Sequence, residues 1–330
     1  MRFFIVPFLL IFLSCGVEQN SENAKSSISL LSEAILKSPD NIDLLQQRKV
    51  LFLKNDNLEA ALIDQEQIVS LDSSNHVSWY ELADIQYKIA KKNKPNYYRF
   101  ALSSLMKEMP NQEAHIPSLL LRGKLQYLYR NHQESLKDLN NTIKENPYDS
   151  EAYFYKGLNY KELGDIEKAI SQFQTTVEQN PFHAMAYEQL AFIYASLGDT
   201  PLAEMFFDNA LSVDSSNIKT WYNKGKYLQD LERYNEAEKC YYAILKRDNF
   251  NEFANYNLGY IHFLRQDYEM AANYFSDAIY TNSAYADAYY SRGLCFKALK
   301  NIPQARVDFQ TALRLDETFE EAQIELQKLP

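Results

Sequence analysis

"EAYFYKGLNYKELGDIEKAISQFQTTVEQNP" (Glu151–Pro181) and "MAYEQLAFIYASLGDTPLAEMFFDNALSVDS" (Met185–Ser215) are one pattern written twice, 34 residues apart. Counted from Ser150 and from Ala184, each puts an aromatic at position 4, a small residue at 8 and an aromatic at 11. Gly-Asp follows at 15 and 16, Ala at 20 and Phe at 24. The frame runs on without insertion or deletion through Ile218, Glu252 and Ala286. Stepping back, it adds blocks at Ile116, His76 and Ile42, and the block from His76 carries six extra residues around "KKNKPN" (Lys91–Asn96). A period of this length marks an array of supersecondary units, none of which buries its apolar face alone.

The small positions supply the physical test. Position 20 reads Ala61, Ala101, Ser135, Ala169, Ala203, Ala237, Ala271 and Ala305. Position 8 reads Lys49, Ala83, Gly123, Gly157, Ala191, Gly225, Gly259 and Gly293. Small side chains there let two helices approach closely, while large residues at 4, 11 and 24 fill the space between them. Position 24 supplies Leu105, Leu139, Phe173, Phe207, Tyr241, Phe275 and Phe309, whereas the first block departs with Lys49 and Gln65.

This pattern resembles the tetratricopeptide repeat, W-x2-L-G-x2-Y…A-x3-F…P over 34 residues, each repeat a helical hairpin. The resemblance implies an all-α fold, a right-handed α-solenoid of about eight hairpins. The expected repeats are 42–75, 76–115, 116–149, 150–183, 184–217, 218–251, 252–285 and 286–319. "SISLLSEAILKSPDN" (Ser27–Asn41) reads as a half-repeat before them. Residues 320–330, with "EEAQIELQKL" (Glu320–Leu329), read as a capping helix with a polar outer side.

Little room is left for catalytic chemistry. The chain has 330 residues, 24% charged and 46% hydrophobic, enough for a large core. Its formal charge of −10 disfavours nucleic acid, which needs a basic face. Eight glycines argue against glycine-rich phosphate loops. His76, His115, His132, His183 and His262 fall in different blocks or at their junctions, and none makes a metal spacing. His262 takes position 11, where a satisfied core histidine is expected. Cys240 and Cys295 are read as small packing residues, too far apart in the array to bridge. No enzyme activity, cofactor or metal site is expected. The basic insertion "KKNKPNYYR" (Lys91–Arg99) reads as a solvated loop whose Tyr97 and Tyr98 open the next helix, with contact to an anionic partner as the alternative.

What remains is a surface. In the repeat family the first helix of each hairpin lines a concave face through positions 2, 5, 9 and 12. Carried over, these place Tyr80, Tyr87, Leu120, Tyr127, Phe154, Leu158, Phe192 and Tyr222 there. Phe253, Tyr256, Tyr260, Phe263, Tyr290 and Leu294 follow. Aromatics on such a face anchor peptides, offering large area at low rotamer cost. In the seventh block Asn255 and His262 weaken the nominal core face, so two orientations are open. Either the stripe Phe253, Tyr256, Tyr260 and Phe263 is exposed, or the helix turns to bury it. The lysine/asparagine clamp by which some family members hold chaperone tails is missing: position 5 has no lysine and position 9 no asparagine.

The N-terminus sets the expected location. Arg2 and the run Phe3–Leu13 read as a signal segment, too short to span a bilayer. "FLSC" (Phe12–Cys15) resembles a lipoprotein signal, implying residues 1–14 as signal peptide and a lipid on Cys15. Cleavage after Gly16 would instead discard that cysteine. Residues 15–26 are expected as a polar flexible tether. Chains of this design resemble the tetratricopeptide lipoproteins of bacterial envelopes, in the Bacteroidota style. The function so implied is a non-enzymatic protein–protein interaction scaffold, lipid-anchored on the periplasmic face of the outer membrane. It would serve envelope assembly, secretion, gliding or peptidoglycan machinery. The alternatives are a docking subunit for a separate envelope enzyme and a cytosolic adaptor.

Overall fold

A computed structural model describes residues 14–108 and 115–330, with side chains from residue 26 onward. The segment expected as a signal peptide lies outside the described residues apart from Ser14. Eighteen helices and no strand are present among the described residues. The chain divides into two compact units, one ending at Ala169 and the other beginning at Ile170.

In the first unit, α1 (Ser14–Lys37) precedes four hairpins: α2 (Ile42–Lys54) with α3 (Leu58–Leu71), and α4 (His76–Lys91) with α5 (Tyr97–Glu108). These are followed by α6 (Ile116–Leu128) with α7 (His132–Glu145), and α8 (Ser150–Glu162) with the start of α9 (Ile166–Gln179). The second unit continues with α10 (Ala184–Ser196) and α11 (Thr200–Val213), then α12 (Ile218–Asp230) and α13 (Tyr234–Leu245). The hairpins α14 (Glu252–Leu264) with α15 (Tyr268–Thr281) and α16 (Ala286–Ala298) with α17 (Ile302–Leu315) complete it, closed by α18 (Glu320–Gln327). Each unit is an all-α stack of helical hairpins. One difference from expectation is at the start. The segment 15–26, expected as a flexible tether, is helical and continuous with the half-repeat. Apart from Gly16 it holds only residues that a helix tolerates, with no proline to stop it.

The hairpins close as the small positions require. A Cβ built on Gly225 would lie 2.9 Å from the Tyr241 ring, on Gly259 2.8 Å from Phe275, and on Gly293 2.7 Å from Phe309. Gly123 meets Leu139 in the same way at 2.9 Å. Such distances leave no room for a side chain, so the large residue at position 24, aromatic or leucine, fills the volume that the glycine vacates. The first hairpin solves the same contact with polar groups. The buried Lys49 ammonium donates to the Gln46 and Gln65 amide oxygens and to Glu81, at 2.7–2.8 Å. Gln65 in turn donates to the Ser78 carbonyl. Every donor thereby has an acceptor, as burying an ammonium demands.

Helix starts are capped at two recurring places. Asn41, Asp149, Asn217 and Asn251 cap first helices, and Asn57, Asp199, Asp267 and Asn301 cap second helices, through the side-chain oxygen. The acidic residue of the Gly-Asp turns is therefore an N-cap rather than a merely solvated charge. The basic insertion is also used internally. Lys92 pairs with Asp56 and Lys94 with Glu59, at the preceding hairpin's turn, while Tyr97 opens α5. The Lys94 hydrogen bond holds the Glu59 carboxyl below its ordinary value and raises the lysine correspondingly.

Candidate functional site

The face set by positions 2, 5, 9 and 12 differs between the two units. In the first, its aromatics are half-buried and already in contact. Tyr80 lies edge-on to His115 with ring centroids 4.9 Å apart, Tyr87 contacts Tyr98 at 5.7 Å, and Tyr127 contacts Tyr155 at 5.8 Å. Phe154 is only 5% exposed and packs against Tyr155, so its ring offers a ligand no open wall, contrary to its expected place in the groove. Tyr155, the next residue along α8, meets its ring edge-on with centroids 5.6 Å apart.

In the second unit, Phe192 packs on Phe207. Tyr222 bridges Tyr241 and Phe253. Glu188 takes position 5 of α10, buried, and accepts from the Thr220 hydroxyl. On α14 the two orientations left open by the sequence resolve. Ala254, Leu258 and Ile261 are fully buried and form one stripe at i, i+4 and i+7. That stripe orients the helix, and Asn255 goes inward with it. The aromatic stripe consequently faces outward: Phe253 is 48% and Tyr260 37% exposed, with Tyr256 and Phe263 half-buried. His262 is half-buried, its Nδ1 3.1 Å from Asp267 and its ring stacked on Tyr274.

Three alternate helices, α14, α16 and α18, then enclose a cleft of 270 Å³. Tyr256, Tyr260 and Phe263 come from α14, and Asp287, Tyr290, Ser291 and Leu294 from α16. Phe319 and Glu321 close it at the start of α18, over a floor that includes Phe275. The walls are held in place by ring contacts. Tyr256 stacks on Tyr285 with centroids 5.0 Å apart and leans on Phe275 at 5.4 Å. Tyr290 sits between Phe309 and Phe319, at 5.9 and 4.9 Å. Its polar groups are acidic or hydroxyl; no cation lines it. Burial pushes the Tyr256 phenol above its ordinary value, a Ser291 hydrogen bond works against this, and the Asp287 charge adds to it. Burial likewise raises Tyr290, with the Glu325 and Glu321 carboxylates adding to it.

Four of the expected groove residues, Tyr256, Tyr260, Phe263 and Tyr290, therefore meet at one place together with Leu294. Asp287 and Glu321 were not foreseen, although Asp287 holds position 2 and Glu321 is second in the capping helix. Applying the same positional rule to charged residues finds them. Phe319 had no such signal, because its ring reaches Tyr290 only once α18 is docked. Cys240 and Cys295 are buried free thiols, pushed up to about 11 and about 12 by burial. Among the described residues no cluster of histidine, cysteine or carboxylate side chains could hold a metal ion. No described helix is long and apolar enough to cross a membrane.

Family models described as "Tetratricopeptide repeat" match residues 286–319, and residues 156–217 and 222–286. The RNA polymerase II-associated protein 3 of Xenopus laevis is 31% identical over 122 residues, 37% of this chain and 18% of that protein. The matched stretch is thus a small part of that relative, as it is of the human protein, 27% identical over the same length. Among solved structures, the C-terminal part of a TPR repeat-containing protein from Cytophaga hutchinsonii superposes with a TM-score of 0.63 at 18% identity. It covers 76% of this chain and 100% of that one. The Cut9–Hcn1 hetero-tetramer of the APC/C gives 0.50 at 15% identity, covering 91% and 58%. At these identities the likeness to the solved structures is one of fold.

Proposed function

The chain is a tetratricopeptide repeat protein, and from that premise we propose a non-enzymatic scaffold that captures partner proteins on the aromatic face of its second unit. Repeats of this family bind protein or peptide partners. The observation that carries the reading is the convergence of Tyr256, Tyr260, Phe263 and Tyr290 on one preformed cleft, with Phe253 open beside them. Rigid, half-open aromatics give a partner segment large contact area without ordering cost, the usual composition of an interaction hot spot.

We further propose that the scaffold acts in a bacterial envelope, anchored by a lipid on Cys15. Support comes from the sequence: a short positive start, an apolar run of eleven residues, and a cysteine after Leu13-Ser14. Helix α1 starts one residue before that cysteine, so the anchor would join the stack through a helix.

Two experiments test these claims separately. A photo-crosslinking residue in place of Tyr260, used in intact cells, is expected to trap a partner. The same residue in place of the exposed Ile63 on α3 is expected to trap none. Equal products at both places, or none at Tyr260, would sink the scaffold reading. Recovery of a single enzyme in fixed stoichiometry would replace it with an enzyme-docking role. Palmitate labelling is expected to vanish in Cys15→Ser, and unchanged labelling removes the anchor.

A further inference from the structure

We infer that the cleft between α14, α16 and α18 is a receptor for a cationic side chain, arginine before lysine, carried by the partner segment. The inference rests on the scaffold reading and adds the chemistry of what is captured. Five aromatic rings, Tyr256, Tyr260, Phe263, Tyr290 and Phe319, line the space, and two carboxylates, Asp287 and Glu321, stand at it. Ring faces carry the negative lobe of the aromatic quadrupole and attract a cation within about 6 Å of the centroid. Carboxylates in the same space give that cation a fork to hydrogen-bond. A planar guanidinium stacks on a ring while using both prongs, which an ammonium cannot do.

The chain elsewhere satisfies such rings with its own cations. Lys91 lies over Tyr87, Lys124 over Tyr155, Arg247 over Trp221 and Arg292 over Tyr289. None of the described cations covers the five rings of the cleft. Asp287 and Glu321 likewise have no ion pair, whereas the neighbouring Glu325 holds Lys297 and Lys328. The electrostatic field is set for a positive guest: the Asp287 and Glu321 charges already resist ionisation of the Tyr256 and Tyr290 phenols. Size points the same way. At 270 Å³ the cleft falls below the roughly 300–1,000 Å³ of pockets for drug-sized ligands and suits one side chain. A net charge of −10 adds long-range attraction for a basic segment.

The test uses the full chain with 3-fluorotyrosine in place of Tyr260, followed by fluorine NMR. The titrants are acetyl-Ala-Arg-Ala-amide and its Lys, Gln and Glu counterparts. The Arg peptide is expected to shift the resonance saturably, Lys more weakly, and Gln at least roughly tenfold more weakly than Arg. Asp287→Asn with Glu321→Gln, two exposed carboxylates whose loss leaves the fold intact, is expected to weaken the Arg peptide several-fold. Tyr290→Leu is expected to do the same, and Tyr290→Phe to preserve binding. Equal affinity for the Gln peptide, preference for the Glu peptide, or binding of phosphatidylcholine vesicles in place of the Arg peptide overturns the inference. A partner crosslinked at Tyr260 with no response to the Arg peptide overturns it while leaving the scaffold reading intact. An Arg response without any crosslinked partner overturns the scaffold reading instead.

Discussion

Arg292 and Asp308 lie sixteen residues apart and meet in a two-pronged ion pair, both bonds 2.8 Å, with the Ser276 hydroxyl accepting a third guanidinium hydrogen bond. Arg48 repeats the arrangement with Asp64 and Ser32, and Arg122 repeats the pair with Asp138. All three are positions 7 and 23 of their hairpins, and each aspartate is buried. In the α10–α11 hairpin the same two positions are the apolar pair Leu190 and Phe206. Removing one member of a buried pair strands its partner's charge, whereas an apolar pair of matched volume is tolerated. Asp308→Ala is therefore expected to cost about 3 kcal/mol, the low end because Arg292 keeps some access to water. Arg292→Met with Asp308→Val, an apolar pair closer in total volume to the ion pair, is expected to cost clearly less than the single variant, about 1 kcal/mol. Urea denaturation measures both, and a double variant as weak as the single would refute the clip. The clip was hidden from sequence reading because it occurs in three hairpins and is replaced in the others.

At the scale of the element, the turn inside every hairpin except α4–α5, which carries the insertion, takes a left-handed residue at position 15. Gly164 and Gly198 supply it with φ of 79° and 77°. The same place is filled by Asp56, Arg130, Glu232, Gln266 and Lys300, at φ between 58° and 63°. A side chain there strains the backbone by about 1–2 kcal/mol, partly offset by the greater freedom that glycine loses on folding. Glu232→Gly and Lys300→Gly are each expected to stabilise the protein by roughly 0.5–1 kcal/mol. Gly198→Ala should destabilise it by about 1 kcal/mol through φ alone, since no atom lies within 4 Å of an added Cβ. Chemical denaturation of the three variants checks the signs; a neutral Gly198→Ala would show that the turn relaxes. The sequence displayed this requirement openly in only two hairpins, where glycine carries it.

On the scale of the whole molecule, stability is local, because a stacked hairpin touches its neighbours in sequence and nothing farther. Phe309 is fully buried and packs between Gly293, Tyr290 and the capping segment around Leu329. Phe309→Ala is expected to cost about 3–5 kcal/mol there. Hydrogen exchange should then show protection lost across α16, α17 and α18 while α2 to α8 keep theirs. Uniform loss of protection along the chain would contradict nearest-neighbour coupling. Because α18 supplies Glu321 and follows Phe319, the same variant is also expected to open the cleft, tying the site to the stability of the last hairpin.

The repeat frame, the all-α fold and the aromatic row on the first helices were legible from residues alone. A strict period exposes which positions must be small and which large, and that spacing is a property of the chain. Legible too were Tyr256, Tyr260, Phe263 and Tyr290 as members of one face, since the repeat family's positions 5, 9 and 12, carried onto this frame, imply it. Tertiary packing alone decided which of those rings stay open. Phe154 is buried, whereas Ala254, Leu258 and Ile261 turn the α14 stripe outward. It alone brought Phe319 and Glu321 over that stripe, because the docking of a capping helix depends on the surface it meets. Periodicity assigns a side chain to a face, but only the neighbours that arrive from other hairpins determine whether that face becomes a wall, a floor or an opening.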